Sequence, residues 1–399
     1  MQAIILAAGS GIRFLPFSKS KPKPLFSLFG KTTIEHNLIE LEGLVDEVFI
    51  IVGYKSEMIR EKIGNTFGKI KINYINDDQI VGTGSSAKLA KDFLKDEFVL
   101  LNGDDFYNKE DIKKAINSFP SILVKEHQNP LSFGVIVKEK GFLKSIIEKP
   151  KEAISNLVNT GLYCLPKEIF DFEIEKSERG EYEFTDYLKK FLVKNEVHVC
   201  EAYFWVPTSY PWELFNAFSH LFSKQKKDKG FIIEKGANIS KEAIIKKGTI
   251  IKSGVYIEGR VWIGENCSIG PNCFIRDGSM IEDNSKIGQS VEIKNSIIGK
   301  RTNISHLSYI GDSIIGDNCN LGAGTIVSNL RHDHTTIKVK IKDKMIDTGL
   351  LKLGTMIGDN VKTGIGTLIY PGRKIYPNKM TIPGERVEKD IDNSAEGEN

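Results

Sequence analysis

The chain has 399 residues, of which 40% are hydrophobic and 27% are charged, and its formal net charge is +3. That length allows two domains, and the composition is that of a globular protein. The basic residues do not gather into one long block, so we expect no nucleic-acid partner. No apolar run reaches the ~18 residues of a membrane-spanning helix, and no basic region precedes the apolar start as in a signal peptide, so we expect no membrane partner.

The chain contains five cysteines. Their odd number and the absence of CxxC spacing argue against a disulfide framework and against a zinc site. We therefore expect free thiols and a cytoplasmic location.

The first part of the chain alternates short apolar runs with amphipathic segments. The predicted strands cover residues 3–8, 47–53, 71–76 and 98–105, and helix-like segments cover 33–44 and 85–95. This alternation predicts a Rossmann-like α/β domain with a mixed, mostly parallel sheet that binds ligands beyond the carboxyl ends of its strands. Residues 132–150 further predict a hairpin, residues 159–165 another strand, and residues 211–230 an amphipathic helix that runs into a charged stretch.

The spacing of apolar residues then changes to six. Ten isoleucines from Ile239 to Ile293 keep this spacing, with glycine, asparagine and aspartate between them. The phase slips by one position twice, is interrupted over 328–350, and resumes at Leu351. A six-residue period predicts short strands wound into a parallel β-helix with the isoleucines stacked inside.

These patterns divide the chain into four parts. The α/β domain covers residues 1–222, a linker covers 223–230, the β-helix covers 231–385, and a polar tail covers 386–399. We expect the tail to be disordered because it is polar and contains few apolar residues.

A phosphate site is indicated directly after the first strand. The segment GSGIR at 9–13 lacks the lysine and hydroxyl of a P-loop, and Gly9 and Gly11 alone are weak evidence. Arg13 and Lys23 favour phosphate, because arginine grips its oxygens with a fork and lysine supplies a point charge. The alternative is an ordinary solvated basic loop.

Further candidates lie later in the α/β domain. Asp104, in the GDD at a strand end, could hold Mg²⁺, whereas we expect Asp105 to have a local role as a helix N-cap or turn residue. Glu148 and Asn159 suit sugar hydroxyls, and Lys149 suits a sugar phosphate. Each of these signals is weak by itself.

The order of the motifs is more specific than any one of them. The series LAAGSGIR, PKPL, QIVGTG, NGDD, FGV, IIEKP, NTGLY and EYEFTDYL resembles the sugar-1-phosphate nucleotidylyltransferase family. With the hexapeptide region behind it, the chain resembles over essentially its full length the archaeal form of the bifunctional N-acetylglucosamine-1-phosphate uridylyltransferase/glucosamine-1-phosphate acetyltransferase family. That family has a left-handed β-helix and assembles as trimers, so we expect a homotrimer.

The resemblance implies a role for each matching residue. The nucleotide phosphates are approached by Gly9 and Gly11, and the triphosphate is stabilised by Arg13 and Lys23. The base is contacted by Gln79, Gly82 and Thr83, and Mg²⁺ is bound by Asp104. The sugar phosphate is held by Gly134, Glu148, Lys149 and Asn159. Such a site would catalyse in-line transfer mainly by positioning and charge neutralisation.

One departure from the family pattern concerns the metal. The family ends this domain with Asp-x-Gly-x-Pro-Trp, whose aspartate is the second Mg²⁺ ligand, but this chain has Pro207 and Ser209 at the first two defined positions. Proline offers no carboxylate. Glu201 or Asp186 could substitute for it, and otherwise we expect nucleotidyl transfer to be weak or lost.

The segment 290–330 resembles the acetyltransferase centre of the bifunctional family. The resemblance implies His306 as the base that deprotonates the amino sugar. The remaining implied residues are Arg276 and Lys294 for the phosphate, Tyr309 and Asn329 for the sugar, Asn320 for orientation, Ala323 for acetyl-CoA, and Lys338 as the counterpart of a family lysine. His332 and His334 lack a third metal ligand, so we expect them to be surface residues.

Three functions are compatible with the sequence. The first is N-acetylation of glucosamine-1-phosphate or galactosamine-1-phosphate by acetyl-CoA, beside a weakened nucleotidyltransferase domain. The second is a fully bifunctional enzyme that also uses UTP or dTTP with Mg²⁺. The third is a non-catalytic regulatory scaffold, which predicts decay at both sites, whereas only one departs seriously from the family.

Overall fold

The structure is a computed structural model, and it describes residues 1–152 and 154–392. The chain forms two compact units. The first unit comprises Met1–Ser10, Pro22–Leu25 and Thr32–Thr208, and the second unit comprises Gly11–Lys21, Phe26–Lys31 and Ser209–Asn399. Two short segments from the start of the chain therefore belong to the second unit, which the predicted division at residue 222 did not anticipate.

The helices are α1 (Thr33–Leu41), α2 (Ser56–Ile63), α3 (Thr83–Lys88), α4 (Lys109–Asn117), α5 (Phe184–Phe191) and α6 (Leu214–Phe222). Short 3₁₀ turns cover Ile12–Phe14, Phe17–Lys19, Lys23–Leu25, Lys91–Phe93, Pro130–Ser132, Lys167–Asp171 and Pro211–Glu213. The strands up to residue 201 are β1 (Gln2–Ala7), β2 (Ser27–Leu28), β3 (Lys31–Thr32), β4 (Glu47–Val52), β5 (Thr66–Phe67), β6 (Ile70–Asn76), β7 (Glu97–Asn102), β8 (Ser121–Glu126), β9 (Gly134–Glu139), β10 (Phe142–Glu148), β11 (Leu157–Pro166) and β12 (His198–Glu201).

The later strands are mostly two residues long. They are β13 (Ile232–Ile233), β14 (Asn238–Ile239), β15 (Ile244–Ile245), β16 (Ile250–Ile251), β17 (Tyr256–Ile257), β18 (Trp262–Ile263), β19 (Ser268–Ile269), β20 (Phe274–Ile275), β21 (Met280–Ile281), β22 (Lys286–Gln289), β23 (Glu292–Lys294), β24 (Ile297–Ile298), β25 (Asn303–His306), β26 (Tyr309–Gly311), β27 (Ile314–Ile315), β28 (Asn320–Leu321), β29 (Ile326–Val327), β30 (Lys338–Ile341), β31 (Lys344–Asp347), β32 (Met356–Ile357), β33 (Leu368–Ile369), β34 (Lys374–Ile375) and β35 (Arg386–Val387).

The first unit is built on one mixed sheet with the order β5-β6-β4-β1-β7-β11-β8-β12-β10-β9. Strands β6, β4, β1 and β7 are parallel, as the Rossmann-like prediction required. In the other half only β8 and β12 are parallel among the pairs described. The sheet is mixed, as predicted, but the prediction of mostly parallel strands is wrong for this half. The tight hairpin forces β9 and β10 to pair antiparallel. Strand β11 also runs antiparallel to its neighbours β7 and β8.

Both faces of this sheet are covered. Ile4 and Ile5 are adjacent on β1, are fully buried, and belong to different core clusters. Successive residues of a strand point to opposite faces, so a central strand needs two apolar neighbours in a row. The Ile5 cluster includes residues of α1, α2 and α4, and the Ile4 cluster includes residues of α3 and α5. This packing holds the carboxyl ends of β1 and β7 side by side.

The second unit contains three parallel sheets whose successive strands come from successive coils. Ile251 lies opposite Ile269, and Ile269 lies opposite Ile287, which is a repeat of eighteen residues or three hexapeptides. The isoleucines of the repeat form one buried core cluster. These features agree with the predicted spacing and are those of a parallel β-helix.

The two phase slips fall on the same side of the coil. Three residues separate Ile293 from Ile297 and Ile310 from Ile314, whereas four separate Ile275 from Met280 in the preceding coil. The interruption that begins after β29 leaves the coil at the same side. We call the stack of turns that follow β23, β26 and β29 the shortened corner.

The interruption itself contains the antiparallel β30–β31 hairpin. Val339 and Ile341 of this hairpin are buried. Leu351 is 55% exposed, so its predicted place in the core is wrong, and Leu353 is buried instead. The phase of a repeat could not be read through an insertion of unknown length.

The β-helix also extends past residue 385. Strand β35 pairs with β33, and Ile391 forms a bridge with Ile375. The expected disorder of the tail is therefore not seen for 386–392, and residues 393–399 lie outside the described residues. All five cysteines are unbridged and buried. Within residues 1–152 and 154–392, no helix is both long and apolar enough to cross a membrane.

A buried ion-pair cluster in the second unit predicts a large effect on stability. Lys21 Nζ lies 2.5 Å from Asp317 Oδ2 and 3.2 Å from Asp359 Oδ2. Burial lowers the pKa of Lys21, but the two carboxylates outweigh it and raise the pKa overall. Lys21→Met would leave two carboxylates without their cation, and we expect unfolding to require about 3–5 kcal/mol less free energy. Denaturant unfolding of the full chain measures the difference.

The control is Lys247→Met, because Lys247 forms only a surface pair with Glu265 at 3.6 Å. We expect that change to stay within about 1 kcal/mol. Equal effects of the two substitutions would contradict the importance of the Lys21 cluster.

Glu282 predicts a pH dependence of stability. Burial raises the pKa of this carboxyl to about 7, although it accepts hydrogen bonds from Ser27 Oγ and Gly30 N at 3.1 Å. The folded state therefore keeps a proton that the unfolded chain loses near its ordinary pKa of 4.5. Stability from this group is complete below that value and declines up to about pH 7, by about 3 kcal/mol at most. In Glu282→Gln the loss of stability between pH 5 and pH 8, measured by denaturant unfolding, should be smaller by this amount. The control Glu265→Gln, whose side chain is 42% exposed, should keep the full loss.

Candidate functional sites

The predicted metal ligand and the predicted phosphate lysine of the first unit are neighbours. Asp104 follows the end of β7, and its Oδ2 lies 2.5 Å from Nζ of the buried Lys23. The carboxyl end of β7 lies beside that of β1, where the sequence placed the site. The two side chains thus form an ion pair in which Lys23 neutralises the charge of Asp104.

Asp105 lies in the turn after β7, as one of the two predicted alternatives has it, but it is not a helix N-cap, and one of its partners is distant in the chain. Its carboxylate accepts hydrogen bonds from Thr208 N at 3.1 Å and from Asn102 Nδ2 at 3.2 Å. Burial, reinforced by the charge of Asp104, raises the pKa of Asp105 to about 7. Asp105 therefore joins the β7 turn to the segment around Thr208.

That segment places Pro207 beside Asp104. Phe106 and Val206 exchange two backbone hydrogen bonds of 3.0 and 3.1 Å, and the Thr208 hydroxyl donates to the carbonyl of Asp104. Pro207, between Val206 and Thr208, is buried. The structure therefore brings together the two positions that hold Mg²⁺ in the family, and one of them has no oxygen ligand in its side chain.

The side chains present do not fit a two-carboxylate magnesium site. Asp104 is paired with Lys23, and the suggested substitutes are also paired, Glu201 with Lys138 and Asp186 with Lys189. Among residues 1–152 and 154–392, no group of three or more His, Cys, Asp or Glu residues could hold a metal ion. Mg²⁺ commonly keeps several waters and binds through substrate phosphates, so the protein contributes at most a weak site here.

The predicted base-binding loop is held against the EYEF motif. A Cβ on Gly82, whose φ is +129°, would lie 2.4 Å from the carbonyl oxygen of Tyr182, so only glycine fits. Thr83 Oγ1 accepts a hydrogen bond of 3.1 Å from Phe184 N. Gln79 is exposed, and its backbone N–H donates to Asp77. These contacts give the loop one fixed conformation.

The three remaining nucleotide-loop candidates have different surroundings. A Cβ built on Gly9 has no heavy atom within 4 Å, so its backbone faces open space. Gly11 has φ of +65° and begins the Ile12–Phe14 turn. Arg13 belongs to the second unit, where its guanidinium lies 5.8 Å from the centre of the Tyr210 ring.

The predicted sugar-phosphate residues converge in the first unit. A Cβ on Gly134 would lie 3.0 Å from Glu148 Oε2 and 3.4 Å from Asn159 Cβ. Lys149 Nζ is 3.7 Å from Glu148 Oε1. Burial raises the pKa of Glu148. The four residues therefore form one cluster, here called the Glu148 cluster, with both a cation and an acceptor.

Sequence reasoning missed Arg179. Its guanidinium lies 3.6 Å from Glu148 Oε1 and also pairs with Glu183. The available signal was its position two residues before the EYEF motif, to which no binding role was assigned. Arg179 adds a second cation to the Glu148 cluster.

Three of the acetyltransferase candidates of the second unit meet at the shortened corner. Lys294 Nζ lies 2.8 Å from Asp312 Oδ2, and Asn329 Nδ2 donates both to Asp312 and to Tyr309 OH, the latter at 3.2 Å. Asn295 Nδ2 donates to Asp312 Oδ1 at 2.8 Å. Lys294, Tyr309 and Asn329 were predicted, whereas Asp312, their common partner, was not.

Arg276 lies one coil earlier. Its Nη1 is 3.0 Å from Glu292 Oε1, and Glu292 is the register neighbour of Tyr309. Its side chain remains 38% exposed, so the guanidinium keeps donors for a ligand. The predicted phosphate cations Arg276 and Lys294 thus occupy successive coils.

His306 ends β25, one turn before Tyr309. The residue is exposed, and its carbonyl accepts hydrogen bonds from Ser308 Oγ at 2.8 Å and Gly324 N at 3.2 Å. Three residues of chain span at most about 10 Å, so His306 stays close to Tyr309. Ala323 adjoins Gly324, and its carbonyl accepts a hydrogen bond of 2.8 Å from Gly366 N.

The last two candidates differ in their placement. Asn320, in β28, lies opposite Asn303 of the His306 strand. Lys338 is exposed in the β30–β31 hairpin opposite Asp347, and no contact described for it reaches the shortened corner. His332 and His334 are exposed in the same insertion.

Comparison with known proteins finds matches in both parts of the chain. Residues 2–223 match the family described as Nucleotidyl transferase, and residues 257–390 match the GMPPB C-terminal domain. A bifunctional protein GlmU from Methanocaldococcus jannaschii is 39% identical over 99% of this chain and 96% of its own length. A bifunctional sugar-1-phosphate nucleotidylyltransferase/acetyltransferase from Sulfurisphaera tokodaii is 37% identical over 98% of each chain.

A crystal structure described as a glucose-1-phosphate thymidylyltransferase from Bacillus anthracis superposes with a TM-score of 0.50 and 26% identity, covering 54% of this chain and 93% of that one. The chain belongs to the nucleotidyl transferase family and, within it, to the bifunctional GlmU-type nucleotidylyltransferase/acetyltransferases. It is therefore a transferase with a nucleotidyltransferase domain.

Proposed function

We propose that this protein acetylates the amino group of glucosamine-1-phosphate with acetyl-CoA as co-substrate. The observation that carries this proposal is the convergence of Lys294, Tyr309 and Asn329 at one corner, close along the chain to the exposed His306. Galactosamine-1-phosphate is included as a substrate, because the two sugars differ only in the configuration of one hydroxyl.

The chemistry needs a base, a phosphate cradle and a place for the thioester. His306 takes a proton from the substrate ammonium, and the neutral amine then forms a bond with the acetyl carbon while the carbon–sulfur bond breaks and CoA leaves as a thiolate. The nitrogen loses its second proton as the amide forms, and the thiolate takes up that proton to give CoA. Arg276 and Lys294 bind the phosphate, and Tyr309 and Asn329 bind sugar hydroxyls. Asn320 orients the reacting groups, and Ala323 offers its backbone to acetyl-CoA.

The nucleotidyltransferase domain is proposed to bind sugar phosphate but to transfer nucleotide weakly. Weak transfer is supported by Pro207, which lies beside Asp104 and offers no carboxylate. Binding of sugar phosphate is supported by the Glu148 cluster, which contains the cations Lys149 and Arg179. The second candidate is full bifunctionality with UTP or dTTP, which the names of the close relatives favour. A non-catalytic scaffold is disfavoured because the shortened corner keeps its charged and polar side chains.

The proposal includes four finer points. The β-helix is left-handed, the protein is a cytoplasmic homotrimer, and the β-helix from residue 231 onward forms the acetyltransferase domain, including the strand at Arg386–Val387 that the predicted end at 385 left out. Any Mg²⁺ would arrive bound to the nucleotide. The first three points rest on the resemblance, and the three parallel sheets of the second unit support only the β-helix. The last point rests on Pro207, which offers no second carboxylate beside Asp104.

The role of His306 predicts a loss of turnover when it is replaced. His306→Asn keeps the size and polarity of the side chain but removes the base, so kcat for CoA release should fall about 10²–10⁴-fold. The assay follows CoA release from acetyl-CoA and glucosamine-1-phosphate. The control His334→Asn alters an exposed histidine of the insertion and should leave the rate unchanged. Undiminished kcat in His306→Asn would overturn the assignment of the base.

The role of Pro207 is tested by adding the missing carboxylate. The natural sequence should release pyrophosphate slowly from UTP or dTTP with N-acetylglucosamine-1-phosphate and Mg²⁺, and Pro207→Asp should raise that rate at least tenfold, about 1.4 kcal/mol of barrier. Pro207→Ala, which removes the ring without adding a ligand, should give no gain. Pyrophosphate release by the natural sequence as fast as its CoA release would instead support full bifunctionality.

A further inference from the structure

We propose that Asp312 is the positioning residue of the acetyl-transfer site, which holds Lys294 and Asn329 in the arrangement that receives the sugar phosphate. This inference rests on the proposed acetyl transfer. Asp312 was absent from the candidates drawn from the sequence, yet its carboxylate contacts two of them, Lys294 and Asn329.

The first support is the way the Asp312 carboxylate is used. Its Oδ2 accepts from Lys294 Nζ at 2.8 Å and from Asn329 Nδ2, and its Oδ1 accepts from Asn295 Nδ2 at 2.8 Å. The residue is only 4% exposed. A carboxylate so enclosed and so occupied is poorly placed to accept a proton from a substrate, whereas His306 is exposed. Asp312 therefore acts through its neighbours and not on the reacting atoms.

The second support is the backbone, which fixes where this carboxylate lies. Asp312 has φ of +49°, a left-handed conformation that aspartate tolerates better than most residues. Its N–H donates to the carbonyl of Lys294 at 2.8 Å, and its carbonyl accepts from Gly354 N at 2.8 Å. The preceding Gly311 is also constrained, because a Cβ there would lie 2.5 Å from Tyr309 OH. The turn thus holds the carboxylate between two coils.

The third support is the irregularity of the repeat. The turns that carry Lys294 and Asp312 each have one residue fewer than the corresponding turn at Asp277, and Asn329 begins the insertion at the next level. Elsewhere the six-residue period is kept over long stretches, so the departures are confined to the corner that carries these side chains. They stack Lys294, Asp312 and Asn329 on three successive levels.

The arrangement makes a specific demand on ligand chemistry. A lysine ammonium has three donors on a flexible stem, and Asp312 occupies one of them. The remaining donors stay available for phosphate oxygens, and the stem no longer has to be ordered when the ligand binds. Loss of Asp312 should therefore weaken binding of the phosphorylated sugar while leaving binding of acetyl-CoA unchanged.

The test compares Asp312→Asn with the natural protein in steady-state CoA release, varying each substrate in turn. We expect KM for glucosamine-1-phosphate to rise at least tenfold and KM for acetyl-CoA to stay within twofold. The matched control is Asp277→Asn, which alters an exposed aspartate on the same side of the coil that pairs with Arg260 at 3.0 Å. That control should leave both constants unchanged.

A second variant covers the case in which Asp312→Asn does not fold. Asn295→Gly removes one donor to Asp312 Oδ1, keeps the charge, and suits the φ of +43° at position 295. It should raise KM for the sugar phosphate about threefold and leave KM for acetyl-CoA unchanged. Calorimetric titration of both variants with glucosamine-1-phosphate alone should show the same order of weakening.

The outcomes separate the two proposals. If the natural protein acetylates and binds glucosamine-1-phosphate but the variants match it, or if both KM values rise by the same factor, the positioning role of Asp312 is overturned and the acetyl transfer stands. If the natural protein neither binds nor acetylates an amino-sugar phosphate, the proposed function is overturned, and the inference about Asp312 with it.

Discussion

The constraint that governs the second unit is the return of a buried isoleucine to the core every sixth residue. Each coil stacks on the one before it, and the ladder of strands keeps Ile251, Ile269 and Ile287 in line. If one residue is deleted from or inserted into a two-residue strand, the buried side chain of that strand turns to the wrong face. Deletions and insertions are therefore tolerated only in the turns. The shortened corner absorbs two deletions and one insertion, and it is there that polar side chains of three coils come together.

Both candidate sites contain a lysine–aspartate pair, and the surroundings decide what each pair can do. In the first unit Lys23 neutralises Asp104 beside Pro207, so the one carboxylate available to a metal is already compensated. In the second unit Lys294 is held by Asp312 together with two asparagines, and the ion pair serves to orient the cation. Partial burial makes each pair stronger than an exposed one and makes the loss of either partner costly.

The family assignment and the two proposed activities rest on different observations. The family assignment rests on matches over almost the whole chain. The proposed acetyl transfer draws on a cluster whose polar side chains are mutually satisfied, whereas the proposed weakness in nucleotidyl transfer follows from one missing oxygen donor at a position that the fold has kept in place.

Much of this protein could be predicted from its sequence. The hexapeptide repeat, the parallel half of the first sheet and the β9–β10 hairpin follow from local periodicity, since strand faces and coil levels recur at fixed spacings. The family resemblance named the side chains that meet at the shortened corner and around Glu148. Such signals are local in the chain, or are preserved in the order of motifs.

The tertiary structure decided the rest. Leu351 is exposed because the insertion reset the phase, and the tail continues as strand β35 because the last coil still offered an edge. Arg179 and Asp312 acquire their roles only through partners that are distant in the chain or that meet across coils. The assignment of Gly11–Lys21 to the second unit likewise depends on contacts such as Lys21 with Asp317, nearly three hundred residues apart, which no local pattern encodes.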